Sequence, residues 1–209
     1  MANSSAASGV TWTIGRLLTW TKEHFEACGV GEPRLSAEIL LAEAIGCRRI
    51  DLYARFDQEP TADQRAAFRG AVQAAAEHQP IAYLVGHKEF YSLDFKVTPD
   101  VLIPRPETEL AVERALAWCG DDQRERYEVL DIGTGSGCIA ITIAKRQPAA
   151  HVLAVDISEP ALAVARENAA RHGVAERVRC VRADMLDLPA DAVINRLKRG
   201  DIYPKDKIT

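Results

Sequence analysis

Three glycines on alternate positions, Gly133, Gly135 and Gly137, follow the apolar run Val129-Leu130-Asp131-Ile132 and precede a helix-like segment that opens at Cys138. A strand, a tight glycine turn and a helix start together make a cradle for a nucleotide-like ligand. Glycine lets the backbone come close to the ligand, and unpaired N–H groups at the helix start can face it. The spacing indicates which ligand. A dinucleotide fingerprint reads G-x-G-x-x-G, whereas this loop reads G-x-G-x-G with Asp131 just ahead of it. An acid there repels a pyrophosphate and attracts an amino and sulfonium group, so the loop favours S-adenosylmethionine over NAD. Thr134 and Ser136 complete the loop.

Two further acids sit where such a ligand would extend. Asp156 ends a second apolar run, Val152–Val155, and can accept hydrogen bonds from both hydroxyls of a ribose. Asp184 follows a third run, Val178–Val181, and can accept from an exocyclic adenine amine, with Met185 placed to pack on the ring. No metal site is read from the dispersed cysteines and histidines, and no residue is assigned as catalytic.

The surrounding elements are those that position such a site. Strand Val129–Ile132, helix Cys138–Arg146, strand Val152–Asp156, helix Pro160–His172 and strand Val178–Val181 alternate as in a parallel α/β sheet, whose ligands bind at the carboxyl ends of the strands. Ahead of them lies a helical region. Ile14, Leu17, Leu18, Phe25 and Cys28 recur at helical spacing between a Thr11 or Thr13 cap and the stop Gly29. A second helix is expected over Ser36–Ile45 with Gly46 behind it, and a short one over Ile50–Phe56. Thr61 opens a fourth, with Gln64 at capping-box distance. Phe90, Leu93, Phe95 and Val97 among turn formers predict a hairpin, and Pro106 predicts a helix start running to Trp118. The expected division is a disordered tail at 1–10, a helical domain at 11–79, a hairpin linker at 80–104 and a parallel α/β domain at 105–209.

Bulk properties narrow the class. The 209 residues are 47% hydrophobic and 27% charged, and the formal net charge of -4 argues against a basic nucleic-acid-binding surface. Five scattered cysteines without a CxxC pair read as reduced thiols of a cytoplasmic protein. The Ala/Ser-rich start has neither the basic nor the apolar part of a signal peptide, and no apolar run reaches membrane-spanning length.

Several segments resemble a known family. Pro80-Ile81-Ala82-Tyr83-Leu84-Val85-Gly86, Glu89-Phe90-Tyr91 and Leu102-Ile103-Pro104-Arg105-Pro106-Glu107-Thr108-Glu109 look like the segments before the catalytic domain of release-factor glutamine N5-methyltransferases (the HemK/PrmC family). Leu130–Gly137 and Ala154–Ser158 resemble that family's cofactor motifs. The resemblance implies a five-helix recognition domain, a linking hairpin and a class I S-adenosylmethionine-dependent methyltransferase domain with a Rossmann-like sheet. The implied reaction moves a methyl group to the side-chain amide of the glutamine in a Gly-Gly-Gln loop of peptide chain release factors, with no membrane and no direct nucleic-acid partner. The resemblance also places Arg105 near the methyl-donor end of the pocket, either paired with Glu107 or Glu109 or touching substrate.

The family's acceptor motif, Asn-Pro-Pro-Tyr after a fourth strand, does not occur here. Asp191-Ala192-Val193-Ile194-Asn195 begins like that strand and then runs into Arg196-Leu197-Lys198-Arg199. The expectation is therefore an incomplete sheet in a truncated or frame-shifted chain. The rival readings are a remnant that binds cofactor or release factor without transfer, and an adenine-N6 methyltransferase acting on nucleic acid.

Overall fold

A computed structural model of the protein describes residues 11–121 and 124–184. The tail at 1–10, Met185 and the Asp191–Asn195 run lie outside these described residues. The chain divides into two compact units, with the division between Val85 and Gly86.

The first unit is helical. Helix α1 (Ile14–Cys28) starts where the Thr13 hydroxyl accepts the Arg16 N–H at 3.3 Å, and ends at Gly29 with φ 73°. Helix α2 (Pro33–Ile45) begins one turn before the expected Ser36. The physical reason is Pro33, whose fixed φ suits a first helical position; the Ser36 hydroxyl donates to the Gly31 carbonyl at 2.9 Å instead. Helix α3 spans Arg49–Ala54, and α4 spans Ala62–Ala76 behind the capping box of Thr61 and Gln64, whose two bonds measure 3.2 and 2.9 Å. A single turn, α5 (Ile81–Val85), closes the unit. Phe25, Leu40, Leu41, Leu52, Phe68 and Val72 fill its core. One buried charge interrupts this apolar packing. Burial pushes the Glu38 carboxyl up, but the Tyr53 hydroxyl and the guanidiniums of Arg34 and Arg49 more than reverse this and hold it below its ordinary value.

The second unit opens with the hairpin β1 (His87–Phe90) and β2 (Leu93–Lys96), paired antiparallel with His87 opposite Lys96. Phe90 and Phe95 are buried and meet edge to face, ring centres 6.1 Å apart. The turn residues Tyr91 and Ser92 have φ of 52° and 58°. A two-residue hairpin turn demands such angles, which side chains disfavour. Two neighbours hold the turn there. The Tyr91 N–H donates to the Glu109 carboxylate at 2.7 Å, and Arg146 donates to the Tyr91 carbonyl at 3.0 Å while lying over its ring. The expected single helix from Pro106 is a short 3-10 turn, Pro106–Thr108, followed by α6 (Glu109–Asp121).

Strands β3 (Tyr127–Ile132), β4 (Ala150–Asp156) and β5 (Val178–Arg182) then form a parallel sheet in that order. Helix α7 (Cys138–Arg146) links the first two, and α8 (Glu159–Arg171) links the second to the third. Val129, Val152, Ala154 and Val178 bury the sheet's side chains against Ala140, Ile141, Ala144 and Ala169 of these helices.

Gly137 caps α7 with φ 80°, and a Cβ there would stand 2.7 Å from Ile141 Cδ1 and 3.3 Å from Ala165 Cβ. Backbone strain and crowding then add. Gly137→Ala is expected to destabilise the second unit by about 2 kcal/mol or more, read as a lower urea midpoint at unchanged slope; a midpoint equal to that of the parent would contradict this packing.

Candidate functional site

The sheet register brings the three predicted acids to one edge. Asp131 pairs with Ala154 and Ile132 with Val155, so Asp156 stands one residue beyond the end of β3. Asp156 in turn lies opposite Arg182, and Asp184 follows two residues later. Asp184 is half-buried, and Met185 lies outside the described residues.

Between β3 and α7 the glycine loop folds back on its neighbours. The N–H groups of Gly133 and Thr134 both donate to the Val155 carbonyl, at 2.8 and 3.0 Å. The Gly135 N–H donates to Asp156 Oδ2 at 2.9 Å, and the Gly137 N–H to the Thr134 carbonyl at 2.8 Å. The glycines have φ of 74°, 54° and 80°, a region open to glycine at no steric cost. The expectation of unpaired N–H groups concerns the start of α7, which opens at Cys138 beyond these four amides. These four amides already have acceptors inside the protein: three on the Val155 carbonyl and Asp156 carboxylate that end β4, and one on the loop's own Thr134 carbonyl. A phosphate would find few donors here. Space, by contrast, is present: a Cβ at Gly133 would meet nothing within 4 Å, and one at Gly135 only the Gly133 carbonyl oxygen at 4.0 Å.

The electrostatics of the loop are those of a cation site. Asp131 is 8% exposed, and its Oδ2 accepts the Thr134 hydroxyl at 2.7 Å. Burial pushes its carboxyl above the ordinary range; the Thr134 hydroxyl and the Ala140 N–H pull the other way, and the neighbouring Asp156 charge adds to the rise. A buried carboxylate in that state gains most from a positive ligand. Asp156 holds the Gly135 N–H on one oxygen and the Ser158 N–H on the other, at 2.9 Å each, and it remains partly exposed. Each oxygen keeps a further lone pair for an incoming hydroxyl. Ser136 is buried, and its hydroxyl bears on the neighbouring Cys138 thiol. Open space at two glycines beside a partly exposed carboxylate fits a ligand seated on the loop.

The structure thus brings together Asp131, Gly133, Thr134, Gly135, Ser136, Gly137 and Asp156. Arg105 pairs with Glu107 at 3.7 Å, whereas Glu109 serves the Tyr91 turn. Burial pushes the Cys138 thiol up to about 11, so it stays uncharged and is a poor nucleophile at neutral pH. Among the described residues no group of His, Cys, Asp and Glu could hold a metal ion, and no helix is long and apolar enough to cross a membrane.

Two residues beside the loop had no individual role assigned from the sequence, Ile157 standing only within the Ala154–Ser158 motif. Ile157 directly follows Asp156 and is 60% exposed, an apolar face at the mouth of the site. Asn168 of α8 is fully buried and donates to the Ser136 carbonyl at 2.9 Å. A mid-helix asparagine on the stripe of Leu162, Ala165 and Ala169 is the signal that would have found it, because asparagine disfavours helix interiors.

Comparison with known proteins bears out the resemblance read from the motifs. The PrmC N-terminal domain family matches residues 16–86, and a methyltransferase domain family matches residues 129–196. The release factor glutamine methyltransferase of Rhodopirellula baltica is 46% identical over 186 residues, covering 88% of this chain and 63% of that protein. That of Chlorobaculum tepidum is 47% identical over 186 residues, covering 87% of this chain and 63% of its own length. The chain therefore spans a little under two thirds of these curated relatives. The α/β expectation holds as well: the sheet is parallel, a methyltransferase domain family covers it, and helices precede it.

The raised Asp131 carboxyl has a consequence for stability. The unfolded chain ionises this acid more readily than the folded one, so the stability it contributes is present below the ordinary carboxylate range and is lost as pH rises through the raised value. Asp131→Asn escapes that loss. The variant's melting temperature minus the parent's should therefore grow as pH rises from about 4 towards neutrality; a difference independent of pH would contradict the burial argument.

Proposed function

We propose that this chain, a relative of the release factor glutamine methyltransferases, binds S-adenosylmethionine on the glycine loop. We further propose that it serves methyl transfer to the side-chain amide of the glutamine in the Gly-Gly-Gln loop of peptide chain release factors. One observation carries the reading. Two carboxylates, Asp131 and Asp156, face a loop whose amides of Gly133, Thr134, Gly135 and Gly137 are already bonded within the protein. That arrangement rejects phosphate and accepts a ligand with a cationic end and a sugar.

Each residue then has a role set by its place. Asp131 sits nearest the amino end of the methionine portion. Gly133, Thr134, Gly135, Ser136 and Gly137 give the backbone that this portion lies along. Asp156 accepts from the ribose hydroxyls. Ile157 and Asp184 border the adenine; Met185, named for the same role from the sequence, lies outside the described residues. When bound, the cofactor would supply a methyl group on a sulfonium: the amide nitrogen attacks the methyl carbon in line, the C–S electron pair returns to sulfur, and the amide releases one N–H proton to solvent. The chain's contribution is orientation: alignment of donor and acceptor supplies most of the rate in such a transfer. No charged side chain has to act as base to form the cofactor site. A release factor as substrate implies action in the cytoplasm, and the net charge of -4 suits a protein partner better than a nucleic-acid one.

The test combines binding and transfer. Calorimetry should show uptake of S-adenosylmethionine, and labelled cofactor should transfer its methyl group to a release factor. Asp156→Ala is expected to weaken binding about tenfold to a hundredfold, the loss of charge-assisted hydrogen bonds. Asp131→Asn should also weaken it, by about tenfold, even where it raises the melting temperature. Uptake without transfer would leave the cofactor site standing and remove the enzyme; tight NAD binding in its place would overturn both.

A further inference from the structure

Helix α8 backs the glycine loop at two positions one turn apart. Ala165 lies against Gly137, where a Cβ would already be crowded. Asn168, buried completely, reaches the peptide unit just before it. Its Nδ2 donates to the Ser136 carbonyl at 2.9 Å and to the Lys96 carbonyl at 3.0 Å, while its Oδ1 accepts the Lys96 N–H at 2.8 Å. The side-chain amide is thus fixed in orientation, since only Nδ2 can serve two carbonyls and only Oδ1 can serve an N–H.

The bond to Ser136 matters because of what that peptide plane controls. Its carbonyl is held by Asn168, and its N–H, on Gly137, is held by the Thr134 carbonyl at 2.8 Å. A peptide unit is rigid and planar, so pinning both ends fixes its plane. That closes the turn from Thr134 to Gly137. Gly135 sits inside the turn, and its N–H meets Asp156 Oδ2 at 2.9 Å. The direction of the Asp156 carboxylate therefore depends on a turn whose far side is clamped by Asn168.

We propose that Asn168 is a positioning residue for this loop: it sets the Ser136–Gly137 peptide plane and, through Gly135, the carboxylate of Asp156. The same side chain anchors β2 through Lys96, so one buried amide holds the hairpin and the ligand-binding turn in a common frame. The residue touches no ligand. Its effect on S-adenosylmethionine rests on the function proposed above, whereas its effect on loop geometry stands without it.

Two measurements on the whole chain keep those questions apart. Asn168→Ala and Asn168→Asp remove the donation to Ser136, and N168D retains side-chain volume and the acceptance from Lys96. Glu167→Gln is the control. It loosens the same helix from the hairpin by weakening the Lys96 Nζ–Glu167 pair at 2.6 Å, but leaves Ser136 held. Circular dichroism establishes folding first, and N168D carries the test if N168A does not fold. The first readout is amide hydrogen exchange at Gly135 and Gly137, expected to quicken about tenfold or more in the Asn168 variants and to stay within about twofold in E167Q. The second is calorimetric affinity for S-adenosylhomocysteine, expected to fall about tenfold in the Asn168 variants alone. Unchanged exchange at both glycines, equal acceleration in E167Q, or failure of both Asn168 variants to fold would overturn the assignment in favour of a purely structural role. Faster exchange in the Asn168 variants of a parent chain that itself binds no S-adenosylhomocysteine would instead leave the positioning intact and remove the cofactor reading.

Discussion

The carboxylate of Asp156 accepts one backbone N–H from each of two loops, Gly135 after β3 and Ser158 after β4. Together with the Val155 carbonyl, which takes the amides of Gly133 and Thr134, it lets the end of one strand shape the loop of its neighbour. Charge-assisted bonds of this kind are short and directional, so the loop is organised before any ligand arrives. The consequence is chemical. A glycine loop that binds phosphate keeps its N–H groups for the anion, and here those of Gly133, Thr134, Gly135 and Gly137 are turned inward. What it offers outward is open space at Gly133 and Gly135 and lone pairs on Asp156, with the Asp131 carboxyl buried behind them.

Asp131 illustrates how function and stability pull against each other in this site. It lies on the buried face of β3, in line with Tyr127 and Val129. An apolar residue there would serve the core better. Burial and the nearby Asp156 charge raise the free energy of its ionised form, and the Thr134 hydroxyl and Ala140 amide offset only part of that. A positive group placed against it would favour the ionised form and offset that cost. Sites of this kind break a local rule of folding where binding requires it.

Much of the architecture was legible because it follows from local rules. Thr13, Gly29, Gly46, Thr61 with Gln64, and the strand runs ending at Asp131 and Asp156 act within a few residues of themselves, and the structure uses each as expected. Pro33 is a case where a local rule was overlooked, and α2 gained a turn. The rest depends on partners distant in sequence. Asn168 reaches Lys96 and Ser136, and Glu109 reaches the Tyr91 turn rather than Arg105. No periodicity in either segment announces those pairings. Amide usage in the loop was equally hidden, because it depends on the register that sets Val155 and Asp156 beside Gly133–Gly135. Met185 and Asn195 lie outside the described residues.

The central claim concerns the charge that the loop selects, and a ligand series measures it directly. Titrating the protein with S-adenosylhomocysteine, with its analogue lacking the amino group, and with adenosine diphosphate varies the cationic end and the phosphates on a common adenosine. Binding in that descending order, with the diphosphate weakest by about a hundredfold or more, is the result this account predicts. A diphosphate that binds as tightly as S-adenosylhomocysteine would contradict it.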